Sequence, residues 1–282
     1  MGALRKQMDG DLVVRGMSVR TREAYLGAVA GLAKYYGRTP DRLSEQEVQN
    51  YLLHLIQERK LAWSSCNVAV QGLKFFYRIT LKRSAAQFVI PRARQPQKLP
   101  QILSREEVAA LIEKTVNLKH RAILMTAYGA GLRLNEIRHL KLSHIDSARM
   151  TIRVEQGKGA KDRYTLLSPR LLAELRRYWV AYRPALWLFP SKGGARPVCD
   201  ATLHRVFHAA KARAGIAKEG GIHALRHAFA THLLEAGVDI HTIQRLMGHG
   251  HISSTLRYFH LARKHLAGTT SPLELLEGVK PR

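Results

Sequence analysis

The sequence predicts a mainly α-helical protein that carries one small β-sheet and is organised as two domains. Three observations carry that prediction. Apolar residues recur at helical spacing through most of the chain, a proline-rich basic stretch at 91–100 interrupts the pattern, and two short runs, 150–155 and 163–167, alternate as strands do. With 282 residues, of which 46% are hydrophobic, the chain is long enough for two cores.

Residues 18–37 read as the first helix, with Tyr25, Val29, Leu32 and Tyr36 on one face and Gly37 as its stop. Ser44 to Glu47 forms a capping box that opens a second, whose apolar face is Val48, Leu52, Leu55 and Ile56. A third runs from about Trp63 to Leu81 and carries Val68, Phe75 and Phe76. Residues 1–90 are therefore expected to form a small helical domain. In 91–100, three prolines accompany Arg92, Arg94 and Lys98. Proline excludes helix and strand here, so the stretch reads as an extended basic linker, although a plain surface loop would look similar.

Residues 101–282 make the second domain. A capping box from Ser104 to Glu107 opens a helix reaching about Thr115, and another helix at about 119–129 leads into a Gly129/Gly131 turn before Arg133. The two alternating runs flank Gly157-Lys158-Gly159, the signature of a β-hairpin with a lysine at its tip. Helices resume at about 169–182, 200–214, 223–236, 239–247 and 254–266. Residues 270–278 add a short leucine-bearing segment that either packs on its own domain or docks into a neighbouring subunit.

Composition narrows the function. Lys and Arg number 46 against 21 acids, for a net charge of +25, so the partner should be a polyanion, and nucleic acid is the commonest one. The cations are spread along the chain, as on a long basic face. No apolar run reaches the ~20 residues of a membrane span, and the N-terminus has no apolar secretion core. Cys66 and Cys199 stand alone, which argues against disulfides or a thiolate metal site. Both read as small, partly buried side chains in a reducing cytoplasm.

Four motifs carry chemistry. Arg133 lies in G-A-G-L-R-L-N-E, Lys158 in G-K-G-A-K-D-R, His223 and Arg226 in H-A-L-R-H, and His249 and Tyr258 in L-M-G-H-G-H-I-S-S-T-L-R-Y. Two guanidinium forks suit the non-bridging oxygens of a phosphodiester. A tyrosine can attack phosphorus if its proton, with a pKa near 10, is removed as it does so. His223 is the candidate general base or proton shuttle, and His249 a second donor to phosphate or to the phenol. Lys158, in preference to Lys161, is the candidate acid for the leaving oxygen. Glu136 reads either as an orienting group for Arg133 or as an ordinary surface carboxylate, outside the catalytic set. His223 and His227 have helical metal-ligand spacing, but Ala224 stands where a metallohydrolase needs its base. His227, His232, His241 and His251 read as helix-surface or DNA-facing side chains. There is no phosphate-binding G-x-x-x-x-G-K-[ST] loop, so neither metal nor nucleotide cofactor is expected.

In order, spacing and neighbours the four motifs resemble the tyrosine recombinase (phage integrase) family, nearest in outline to its Xer-like members, over about residues 10–265. The resemblance implies an N-terminal helical, SAM-like DNA-binding domain and an α+β catalytic domain, closing as a clamp on double-stranded DNA. It further implies strand cleavage and rejoining through a 3′-phosphotyrosyl bond, by a homo-tetramer on two DNA sites that is a monomer or dimer in isolation. Arg20, Arg22, Arg78, Lys82 and Arg83 would line the DNA face of the small domain, with Arg92, Arg94 and Lys98 along the linker. Two departures stand out: Leu134-Asn135 after Arg133, and a second glycine, Gly250, which would loosen His249. A type IB topoisomerase-like nicking-resealing enzyme and a catalytically silent DNA-binding protein remain as rivals.

The charge pattern generates a test. Affinity for duplex DNA should fall roughly 10³- to 10⁵-fold between 50 and 200 mM salt if six to ten phosphates are contacted. A titration by fluorescence anisotropy measures this, and a flat salt response would remove the clamp.

Overall fold

A computed structural model of the chain describes residues 2–83, 101–155, 162–256 and 258. The basic linker, Lys158 and Lys161 at the hairpin tip, and the leucine-bearing segment at 270–278 lie outside the described residues. The chain divides into two compact units, Met1–Gln97 and Lys98–Arg282. Both are dominated by helices, and one three-stranded sheet lies in the second. Among the described residues no helix is long and apolar enough to cross a membrane.

The first unit comprises α1 (Ala3–Val14), α2 (Val19–Tyr36), α3 (Glu45–Gln57) and α4 (Trp63–Phe75), which continues as a single π-helical turn over Phe76–Thr80. Its caps follow from the sequence. The Ser18 hydroxyl accepts from the Thr21 amide, Gly37 ends α2 in the left-handed region, and both halves of the Ser44–Glu47 box are made. Leu12, Leu32, Val48, Leu52, Leu73 and Phe76 meet in its core. The half-buried Tyr36 and the buried Tyr77 donate their hydroxyls to the carbonyls of Glu47 and Pro40, at 2.7 and 2.6 Å.

Two expectations need correction here. Val68 is exposed, because α4 turns Cys66, Val70 and Leu73 inward instead. Helix α1 was not foreseen: only Met8 and Leu12 are buried on it, too short a stripe to mark a helix among charged residues.

The second unit opens with α5 (Arg105–Glu113), α6 (Leu118–Gly129) and α7 (Leu134–Arg138). Strands β1 (Ile145–Asp146), β2 (Thr151–Val154) and β3 (Arg163–Leu166) follow in antiparallel order, with Ile152 opposite Thr165 and Val154 opposite Arg163. The expected hairpin thus gains a short third strand. Ile152, Val154 and Thr165 face the core while Arg153, Tyr164 and Leu166 face out, the alternation that a one-sided sheet requires. Then come α8 (Pro169–Tyr182), α9 (Asp200–Ala214), α10 (His223–Glu235), α11 (Ile240–Met247) and α12 (Ser253–Leu256). Helix α10 runs through the interior and buries residues on every side, from Leu225 and Arg226 to Ala230 and Leu234. Of the two cysteines, Cys66 is buried, but Cys199 is exposed at the start of α9, contrary to expectation, since the first turn of that helix faces solvent.

Gly72 sets how closely α4 approaches α2. A Cβ there would meet the Tyr25 Cα at 3.0 Å and the Ala28 Cβ at 3.3 Å. Replacing Gly72 with valine should therefore overpack this crossing and cost about 1–3 kcal/mol. Urea unfolding of the full chain measures it, and an unchanged midpoint would mean that the two helices are free to separate.

Candidate active site

The site begins with a helix start. Glu136 stands three positions after Arg133, the spacing at which a carboxylate folds back on the first amide of a helix. The Glu136 Oε2 accepts from the Arg133 amide at 2.7 Å, and Oε1 accepts from Arg133 Nη1 at 2.9 Å. Strand β3 supplies a second guanidinium. Arg163 Nη1 and Nη2 fork onto the two Glu136 oxygens at 2.7 and 2.8 Å. From α10 comes a third, with Arg226 Nη1 at 3.9 Å from Glu136 Oε2.

The remaining donors of these arginines meet the end of α11. The last carbonyls of a helix lack internal partners and carry its negative dipole end. Arg163 Nε donates to Leu246 O at 2.9 Å, Arg226 Nη2 to Met247 O at 2.6 Å, and Arg133 Nη2 to Gly248 O at 2.8 Å. Arg226 Nη1 also donates to Gly131 O at 2.5 Å. Gly131 and Gly248 both have positive φ, at 59° and 61°. At either one a Cβ would collide, with the Phe229 ring at 2.4 Å or with Arg163 Cδ at 2.7 Å.

Burial raises the electrostatic stakes. The Arg226 side chain is 1% exposed and that of Glu136 is 7% exposed. Burial by itself would raise the Glu136 pKa, but the Arg163 fork and then Arg133 overcome it and hold the carboxyl at about 2, against an ordinary 4.5. Burial, followed by the repulsion of Arg133, pushes Arg226 down to about 9, which leaves it charged at neutral pH. Three guanidinium groups against one carboxylate leave an uncompensated positive charge, which suits an anion.

Tyr258 follows α12 and is 3% exposed, packed with Phe229, Ile243 and Met247. Its hydroxyl lies 2.9 Å from Nδ1 of His227. The His249 ring stacks almost parallel to it, with centroids 6.3 Å apart. Arg226 Nη2 faces His249 Nε2 at 3.1 Å, and His249 Nδ1 lies 2.8 Å from the Thr255 hydroxyl. A guanidinium can only donate, so Nε2 accepts and the proton of a neutral His249 sits on Nδ1. The histidine is thus held from both sides despite Gly250. His223 opens α10, one turn from His227, and the two rings meet edge to face at 4.9 Å. The surrounding protein, then Arg226 and Arg133, hold the His223 imidazole below the ordinary histidine range, although the residue reaches solvent.

Of the residues singled out from sequence, Arg133, His223, Arg226, His249 and Tyr258 come together, while Lys158 lies outside the described residues. Two readings are corrected. His227 is half-buried on the Tyr258 hydroxyl instead of lying on a free surface. His232 is buried against the Tyr128 hydroxyl at 2.8 Å, because α10 is surrounded by protein. Arg163 was missed, and its signal was available: it shares the inward phase of β3 with Thr165, where a cation demands a buried partner. Among the described residues, no three His, Cys, Asp or Glu side chains converge as metal ligands. In the first unit Arg20, Arg78 and Lys82 are exposed. Arg22 forks onto Asp9 at 2.8 Å, and the exposed Arg83 donates to the Asp41 and Leu43 carbonyls. Arg92, Arg94 and Lys98 lie outside the described residues.

Comparison with known proteins agrees with both units. Residues 101–265 match the phage integrase family, and residues 4–87 match the N-terminal SAM-like domain of phage integrases. The protein is a tyrosine recombinase by class. The chain belongs to the phage integrase family, and its similarity extends to Xer-type members. It is 43% identical to a Sinorhizobium fredii protein named as an integrase/recombinase, over 100% of this chain and 92% of that one. Identity to the tyrosine recombinase XerA of Pyrococcus horikoshii is 32%, over 81% of each chain. The crystal structure of a lambda integrase dimer bound to a core site shares the fold, with a TM-score of 0.74 at 18% identity over 96% of this chain and 99% of that one.

Glu136 should be the most costly single polar position. Glu136→Gln leaves buried guanidinium groups unpaired, a loss of about 3–5 kcal/mol at neutral pH. A carboxyl with a depressed pKa stabilises the fold above its unfolded value, and that contribution disappears as pH falls through the folded value. The gap between wild type and Glu136→Gln should thus close between pH 4.5 and about 2. Thermal melts across that range check it, and a pH-independent gap would assign the loss to packing.

Proposed function

We propose that the protein cuts and rejoins double-stranded DNA at specific sites, with Tyr258 as nucleophile and a 3′-phosphotyrosyl bond as the intermediate. The observation that carries this reading is the excess of guanidinium over carboxylate charge beside a tyrosine whose hydroxyl meets a histidine. Arg133 and Arg226 would hold the non-bridging oxygens of the scissile phosphate. Each preorganised donor of that kind is worth roughly 10²–10³ in rate. His249 orients Arg226 and would turn to the phosphate once it is bound. His223 lies in the same cluster as a proton shuttle, in edge-to-face contact with the His227 ring, and Lys158 would protonate the departing 5′ oxygen. Arg226 and Tyr258 are both covered, at 1% and 3% exposure, so phosphate entry must rearrange what lies over them.

The phosphotyrosyl bond keeps the energy of the broken phosphodiester, so religation needs no nucleotide. On this reading residues 1–90 bind DNA, 91–100 strap the two domains together, and 101–282 carry the chemistry. The protein would work in the cytoplasm as a homo-tetramer on two DNA sites. Relatives support the DNA partner: the lambda integrase neighbour is a dimer on a core site.

Incubating the protein with fragmented DNA from its source organism and denaturing in SDS should leave discrete fragments covalently attached. Tyr258→Phe should leave none. Equal, empty recovery from both proteins would instead favour a DNA-binding protein that does not cleave.

A further inference from the structure

Among the described residues, His227 meets the phenol oxygen, and it lies outside the R-K-H-R-H-Y set read from the motifs. Its Nδ1 is 2.9 Å from Tyr258 Oη, a full hydrogen bond, and the two rings lie 5.6 Å apart. The other histidine packed on Tyr258 is committed elsewhere. His249 Nε2 takes the Arg226 guanidinium, its Nδ1 takes Thr255, and its ring faces Tyr258 flat. His223 touches His227 edge to face. The chain of contacts therefore runs from the phenol to His227 and on to His223.

Helix geometry strengthens the assignment. His227 directly follows Arg226 on α10, a helix buried on all sides. Its position relative to that guanidinium is fixed by the backbone of one rigid element, however the segment bearing Tyr258 arranges itself. A proton acceptor is best held by the same element as the phosphate clamp, since attack requires both at once.

Resting on the function proposed above, we infer that His227 is a further catalytic residue: it holds the Tyr258 hydroxyl and receives its proton as the oxygen attacks phosphorus. In its neutral form with hydrogen on Nε2, His227 accepts at Nδ1 from the phenol. As the Tyr258 Oη–P bond forms, that proton passes to Nδ1 and the P–O5′ bond breaks. The 5′ oxygen leaves with a proton from the Lys158 ammonium. Histidine becomes imidazolium, lysine becomes neutral, and the charges balance. In religation the imidazolium returns its proton to the departing phenolate.

The test uses the full chain and a nicked duplex built from a fragment captured through Tyr258. Single-turnover formation of the covalent complex is followed with DNA affinity and melting temperature. His227→Ala should slow covalent capture by about 10²-fold or more, the scale of a lost general base, with DNA affinity unchanged. Added imidazole should restore part of the rate. A substrate with sulfur at the bridging 5′ position, whose thiolate leaves without a proton, should not. His227→Asn keeps a hydrogen-bonding atom near the place of Nδ1 but accepts no proton. It should fold like wild type and remain slow, which separates proton transfer from positioning if the alanine variant is unstable. Capture by both folded variants within about threefold of wild type, or recovery of the alanine variant by the sulfur substrate, would overturn the assignment. If wild type captures no DNA at all, the proposed function fails instead, so the two failures are distinguishable.

Discussion

Placing three guanidinium groups within reach of one another costs both desolvation and repulsion, and here a single carboxylate meets that cost. Glu136 takes a full fork from Arg163, both an amide and a guanidinium hydrogen from Arg133, and stands 3.9 Å from Arg226. A buried ion pair is a weak source of stability when compared with apolar packing. Its value here is positional: β3, the start of α7 and the first turn of α10 are brought to a common point. The origin is local, because the capping distance from Arg133 to Glu136 belongs to the first turn of α7. A helix start has become the floor of the site.

The rest of the support comes from main chain. Helix α11 ends at Met247, and its final carbonyls would otherwise face a crowded interior without donors. Arg163 and Arg226 fill that need, so the helix end and the arginines satisfy one another. Gly131 and Gly248 make the approach possible, since both adopt left-handed backbone where a side chain would strike a ring or an arginine stem. Side chains held by backbone in this way keep their geometry when surface residues change.

Much of this was legible in the sequence. Capping boxes at Ser44 and Ser104 gave helix starts that hold, and the Gly37 stop follows from its left-handed backbone. The motifs around Arg133, Arg226, His249 and Tyr258 brought together residues that are distant in the chain. What escaped had a physical reason. Helix α1 buries only Met8 and Leu12, and α7 is too short for any period to show. Which of the apolar residues of α4 turn inward was not legible, because that helix offers them on more than one side, and Val68 is exposed. Glu136 was read as a possible partner of Arg133, but Arg163 as its second partner comes from a strand 27 residues on, a pairing that no local spacing displays. His232 was misread because most of α10 is enclosed, and His227 because its half-buried ring meets a tyrosine that lies distant in the chain.

Gly248 has one more consequence. Its carbonyl holds Arg133, its left-handed turn ends α11, and the chain it releases goes on through His249 to Tyr258 within ten residues. A ligand that draws Arg133 away from that carbonyl loosens the stretch leading to the tyrosine. By thermodynamic reciprocity, whatever restrains that stretch must alter the affinity for the ligand by the same factor. Occupancy and readiness are thereby two readings of one equilibrium, coupled through a single peptide group.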